Sequence, residues 1–275
     1  MTVDDHFKLV ASVYDSLRTT DEAPVRRIRE LLPDHPVVGL DLGCGTGRYS
    51  RLLQRMLADG SMLAACDVSE AMLAELRAAH DGRALMAPLR CTAEELPVRT
   101  GSLDLVMAFN SVHHFDLPRF LAEVARVLRA GGRLFVYTRT PEQNATTIWG
   151  RWFPGFTTHE QRLHSEATLR DAVVRTRGLQ LVDIQSFSHS RSSTPERLRA
   201  QVEGRHYSTF SLYQPDELRQ AIAAFLARLP GPEVSWVDEH LLLVAVAATN
   251  APLRIESTTY SASLSTPGRN PDDMA

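Results

Sequence analysis

Three glycines at alternate positions, Gly43-Cys44-Gly45-Thr46-Gly47, follow the apolar run Val37-Val38-Gly39-Leu40-Asp41-Leu42. Residues without Cβ let the main chain turn sharply and let a ligand lie directly against it. The amphipathic run behind them (Tyr49, Leu52, Leu53, Met56, Leu57) predicts a helix. The first N–H groups of that helix offer a partly positive end to an anionic ligand group. Asp67 closes a second apolar run, 67 − 47 = 20 residues beyond Gly47. At that spacing a carboxylate can accept both hydroxyls of a ribose. Adjacent histidines, His113 and His114, follow a further apolar run. Imidazole is the side chain whose ordinary pKa suits proton abstraction near neutrality.

The elements that position these groups alternate. Val37–Leu42, Ser61–Asp67, Arg83–Arg90, Leu103–Phe109 and Arg133–Thr138 read as strands, and helical patterns separate them. Such alternation implies a parallel, doubly wound α/β sheet. Ligands of open sheets bind beyond the C-terminal strand ends, which is where Asp41, Asp67, Asn110 and the histidines fall. The helix Leu117 to Arg129 is expected to stop at Ala130-Gly131-Gly132.

Leu40-Asp41-Leu42-Gly43-Cys44-Gly45-Thr46-Gly47 resembles motif I of class I S-adenosylmethionine-dependent methyltransferases. Ala93-Glu94-Glu95-Leu96-Pro97 is similar to that family's adenine loop, and Arg126-Val127-Leu128-Arg129-Ala130-Gly131-Gly132-Arg133-Leu134 to its structural signature. The resemblance implies S-adenosylmethionine as cofactor and Asp41, Gly43, Cys44, Gly45, Gly47, Asp67, Val68, Thr92, Ala93, Glu94 and Asn110 as its surroundings. Val68 and Leu96 would flank the adenine. Thr92 stands where many members carry an aspartate, so the base-reading side chain departs from the pattern. Val10 to Arg18 looks like the family's leading helix, which makes Tyr14 and Arg18 contacts of cofactor or substrate. His114, by its offset from Asn110, resembles the catalytic histidine of phosphoethanolamine methyltransferases; His113 is then a packing or capping residue.

The implied fold is a mostly parallel seven-stranded Rossmann-like sheet, helices on both faces, with a helical and aromatic cap. Residues 1–34 are expected as an N-terminal helical lid and 35–140 as the cofactor-binding core. Residues 141–249 would hold the cap and the C-terminal part of the sheet, and 250–275 a disordered tail. An irregular aromatic flap containing Trp149, Trp152 and Phe153, and the polar stretch with Arg205 and His206, are expected to bind substrate. Val234–Trp236 and His240–Ala248 would form closing hairpin strands. The activity implied is methyl transfer to a small molecule. Two alternatives remain open: a non-methylating cyclase that keeps the cofactor as a structural ligand, and a nucleic-acid methyltransferase.

Composition narrows the partners. A net charge of −3 over 275 residues gives no electrostatic reason to expect nucleic acid. The longest apolar run, Leu241 to Ala248, is too short to span a bilayer, and Met1 to His6 lacks a secretory pattern, so a cytoplasmic protein is expected. Cys44, Cys66 and Cys91 lack metal or disulfide-framework spacing and are expected as separate, inert thiols. No metal site is expected.

Overall fold

The structure, a computed structural model, describes residues 3–79 and 86–248. The expected tail at 250–275 and the start of the third predicted strand lie outside the described residues. Seven strands form one sheet: β1 (Val38–Leu42), β2 (Met62–Asp67), β3 (Met86–Arg90), β4 (Leu103–Phe109), β5 (Leu128–Thr138), β6 (Leu179–Ser193) and β7 (Val234–Ala247). Their order is β3-β2-β1-β4-β5-β7-β6. The first five are parallel, while β7 runs antiparallel between β5 and β6. This is the seven-stranded, doubly wound sheet that the sequence implies.

Strand β4 shows why both sheet faces are covered. All seven of its residues are buried. Leu105, Met107 and Phe109 pack with Val25, Ile28 and Leu53 on one face, while Val106 and Ala108 pack with Phe120, Leu121 and Val124 on the other. Alternate residues of a strand point to opposite faces, so a continuous apolar run needs helices on each.

Two boundaries differ from the sequence reading. Strand β5 begins at Leu128, inside the expected helix, because Leu128 pairs with Leu103 as soon as the helix Leu117–Val127 ends. The two closing hairpin strands are one, since β6 continues to Ser193 and supplies a partner for every residue of the polar middle of β7. Asp238, which looked like a break, pairs with His189 in register and receives Arg191 Nε at 3.2 Å. The β6–β7 ribbon thereby carries polar residues to the cavity side of the molecule.

The expected irregular flap is instead a set of short helices, Pro141–Thr146, Ile148–Trp152 and Phe156–His159. Thr140 and Thr147 cap the first two by accepting from Gln143 N and Gly150 N. Trp149, Phe153, Phe156, Phe210 and Phe225 bury one another in a second apolar cluster with the helices Pro195–Glu203 and Pro215–Arg228.

Gly47 starts the helix Arg48–Gln54 with φ 76°, and a Cβ there would lie 2.3 Å from Leu76 Cδ1. Gly47→Ala is therefore expected to destabilise the fold by about 1–3 kcal/mol. Urea unfolding reads this directly, and an unchanged midpoint would contradict it.

Candidate active site

Two cavities meet beyond the C-terminal ends of β1, β2, β4 and β5. The outer, of about 300 Å³, is walled by Asp41, the turn 43–46, Asp67, Val68, Cys91 to Glu94 and Ser111. The inner, of about 160 Å³, lies under the cap against Trp149, His206 and Tyr207. Tyr14, Arg18, Tyr49, Asn110 and His114 belong to both walls, so a group bound in one cavity faces a group bound in the other.

The outer cavity is shaped by its backbone. Gly43 and Gly45 have φ 64° and 56°. A Cβ on Gly43 would collide with Ser111 Cβ at 2.5 Å, whereas one on Gly45 would meet nothing closer than the Tyr14 ring at 3.9 Å. Gly43 thus permits close packing, and Gly45 leaves main chain open to a ligand. Asp67 Oδ2 accepts from Gly45 N at 2.8 Å and Oδ1 from Ser69 N at 2.9 Å, which aims the carboxylate along the turn. Asp41 lies deeper. Ser50 Oγ donates to its Oδ2 at 2.5 Å, but buried Oδ1 has no partner among the described residues. Burial pushes the Asp41 carboxyl up to about 7; the Ser50 hydroxyl opposes that and the charge of Asp67 adds to it. Asn110 adopts φ 52° at the end of β4, its N–H donating to Tyr137 O at 2.7 Å.

Between the cavities, Arg18 Cζ stacks 4.8 Å from the Tyr14 ring centroid and 4.6 Å from that of Tyr207. His113 and His114 form one turn, Val112–His114, with ring centroids 4.1 Å apart and no partner on either Nδ1 among the described residues. Burial, then Arg162, brings His113 down to about 3; burial, then His113 itself, brings His114 down to about 2. Both imidazoles are neutral at physiological pH, and both are weak proton acceptors. His206 is likewise held well below its ordinary value by burial, its Nδ1 3.0 Å from Gln201 O.

Residues 40–136 match the methyltransferase-domain family. Malonyl-acyl-carrier-protein O-methyltransferase of Alcanivorax borkumensis is 38% identical over 138 residues, 49% of this chain and 46% of that protein. The chain therefore spans about half the length of that relative. A tRNA (carboxymethyluridine(34)-5-O)-methyltransferase of Macaca fascicularis is 28% identical over 72% of this chain and 28% of its own. Among solved structures, the 4+2 cyclase SpnF superposes with a TM-score of 0.60 at 18% identity, covering 90% of this chain and 95% of that one.

Residues 40–136 are a class I methyltransferase domain. Its cofactor is S-adenosylmethionine, and the outer cavity fits it. Asp67 presents a carboxylate at the end of β2, the chemistry that vicinal hydroxyls need, and Asp41 Oδ1 is a buried oxygen without a partner among the described residues, the chemistry that an ammonium would satisfy.

Of the residues singled out by sequence, the fold brings Tyr14, Arg18, Asp41, Gly43, Cys44, Gly45, Asp67, Val68, Thr92, Ala93, Glu94, Asn110 and His114 onto the outer wall. Gly47 is not on it; its part is the helix start. Leu96 is also off it, buried in the core beneath the loop. Trp149, His206 and His113 line the inner cavity. Trp152, Phe153 and Arg205 line neither. Phe153 is consumed by the cap's own core, Trp152 packs against that core, and Arg205 sits in a left-handed turn at φ 49°.

The expectation of three separate thiols is corrected. Cys66 and Cys91 are joined as a disulfide, with Cα atoms 6.0 Å apart, a span that a disulfide needs. Neighbouring strands β2 and β3 bring together cysteines that lie 25 residues apart. Cys44 is the free thiol, pushed well up by burial and by Asp41 and Asp67, and so unreactive.

Sequence reading missed Tyr49, Asp21, Arg139, Arg191, Asp238 and His240, all on the inner wall. Only Arg139 carried a usable signal, its place just past the end of β5. Among the described residues, Asp21, His189 and His240 are the one set whose potential metal ligands converge, within 4.8 Å of one another. Those atoms already face Arg191 Nη2 at 2.5 Å, Tyr137 Oη at 2.8 Å and Arg139 Nη2 at 3.2 Å respectively. Two guanidiniums at that point repel a divalent cation.

Proposed function

We propose that this chain transfers the methyl group of S-adenosylmethionine to a small-molecule acceptor bound in the inner cavity. The observation that carries the reading is the shared wall: the cofactor cavity and a second cavity under the cap have Tyr14, Tyr49, Asn110 and His114 in common. When bound, the cofactor supplies an electrophilic methyl carbon on a sulfonium. Asp67 would hold the ribose, Asp41 the ammonium and Arg18 the carboxylate of the methionine end, with Val68 and Ala93 against the adenine. The cap then excludes water and holds the acceptor in line, which can contribute ~7–11 kcal/mol by orientation.

His114 is proposed as the acceptor of a hydrogen bond from the attacking group. A histidine whose conjugate acid loses its proton near 2 orients a nucleophile better than it stores a proton. His114→Ala is expected to lower kcat about a hundredfold with S-adenosylhomocysteine affinity unchanged. In the wild type, kcat should show no histidine limb between pH 5 and 8. Unchanged turnover in the variant would remove His114 from the reaction.

Methyl transfer itself is tested with radiolabelled S-adenosylmethionine and a metabolite panel, scoring labelled product and released S-adenosylhomocysteine. Product formed without that release would favour the cyclase reading. A nucleic-acid acceptor is supported by the tRNA-modifying relative. It predicts labelled tRNA in the same assay, whereas an inner cavity of about 160 Å³ favours a small molecule.

A further inference from the structure

Arg139 sits in the inner wall with its side chain 7% exposed. A guanidinium buried that far needs an anion or a full set of acceptors. Tyr207 and Asp238 support its charge, yet one N–H is left over. Nη2 is 3.2 Å from His240 Nε2 and 3.7 Å from Asp238 Oδ2, and Nε has no partner among the described residues. Asp238 is moreover shared with Arg191 Nε at 3.2 Å and Trp236 Nε1 at 2.9 Å. The other acids of this wall are committed elsewhere: Asp21 to Arg191 at 2.5 Å, and Glu160 to Arg162 and Thr209, each at 2.5 Å. Two further cations, Arg18 between its tyrosines and Arg197 on the Ser16 carbonyl, form no ion pair among the described residues. The inner cavity therefore holds more positive charge than its own acids balance.

We propose that the acceptor is a small monocarboxylic acid whose carboxylate docks on the free Nε edge of Arg139. The inference rests on the reading of the inner cavity as the acceptor site. A planar carboxylate matches a guanidinium edge, and one orphaned N–H with neutral histidines around it suits a single negative charge. The Tyr207 ring, its centroid 5.7 Å from Arg139 Cζ, together with Trp149 and Phe156 offers apolar surface to the rest of the molecule. Because Arg139 lines the inner cavity and not the outer one, the carboxylate is the handle, and the opposite part of the molecule reaches the shared wall.

The test is calorimetric titration of the full chain, saturated with S-adenosylhomocysteine, with benzoate, phenylacetate and octanoate, each against its neutral amide and phenyl phosphate. At least one acid is expected to bind tenfold or more tighter than its amide. In Arg139→Gln that preference should vanish, with S-adenosylhomocysteine affinity within twofold of wild type, and Arg139→Lys should retain part of it. Equal binding of acid and amide, binding by none of the acids, or an undiminished preference in Arg139→Gln would each overturn the proposal. Tighter binding of phenyl phosphate would also overturn it, in favour of a phosphoryl group. The acid–amide comparison on wild type stands even where the variant does not fold. Failure of S-adenosylhomocysteine to bind would strike the cofactor reading instead, and the acids titrated without it would still judge Arg139.

Discussion

Replacement of Asp67 by alanine is expected to lower S-adenosylhomocysteine affinity at least about a hundredfold. The carboxylate accepts from Gly45 N through Oδ2 and from Ser69 N through Oδ1, and the residue lines the outer cavity at the end of β2. Hydrogen bonds to a charged acceptor contribute about 1.5–3 kcal/mol each. Losing two from a ribose removes about 3–6 kcal/mol, and every 1.4 kcal/mol is about tenfold in affinity. The variant also releases Gly45 N, so the open stretch of main chain loses its anchor. Asp67→Asn keeps an acceptor and should fall between the two. Calorimetry on variants shown to be folded by circular dichroism decides the matter: an alanine variant within threefold of wild type would refute the ribose assignment.

Asp41→Asn should separate stability from binding, moving them in opposite directions. A carboxyl raised to about 7 in the fold keeps its proton where the unfolded chain, near 3.8, has lost it. Between about pH 4 and pH 7 the folded state therefore binds more protons, so wild-type stability falls as pH rises through that window and levels off above it. A gap of about three pKa units corresponds to roughly 4 kcal/mol, as an order of magnitude. The asparagine variant has no such penalty and should melt higher than wild type at pH 8 without ligand. Its cofactor affinity should drop, because the ammonium loses its counter-charge. In the wild type, affinity should weaken up to about tenfold per unit as pH falls below 7, since binding then requires a proton to leave. A dissociation constant flat from pH 5.5 to 8 would show that Asp41 does not face the ammonium.

Legibility followed the range over which each feature is encoded. Strand β4 was read to the residue because seven consecutive buried positions leave a run that nothing else produces. The glycine turn and Asp67 were read for a similar reason: a strand end, a turn and the next strand end are a local repeat with a fixed spacing. Boundaries failed where a distant partner extended an element, as when Leu103 drew Leu128 into β5 and β6 drew the polar middle of β7 into one strand. Phe153 and Trp152 were misplaced because an aromatic residue fits a pocket wall and a core equally well, and only the cap's packing chooses. The pairing of Cys66 with Cys91 needed the β2–β3 register.

The sequence by itself determined the class of sheet, the cofactor turn with its two acids, and the histidine turn that follows β4, because periodicity and strand-end spacing are properties of one continuous segment. Tertiary structure alone decided the inner cavity. Arg18, His113, Arg139, Arg191, His206 and His240 come from six separate stretches. They meet only because the cap folds back over the strand ends and the β6–β7 ribbon rises beside them. Burial in that enclosure, which no spacing encodes, turned the histidines neutral and left one guanidinium edge without a partner.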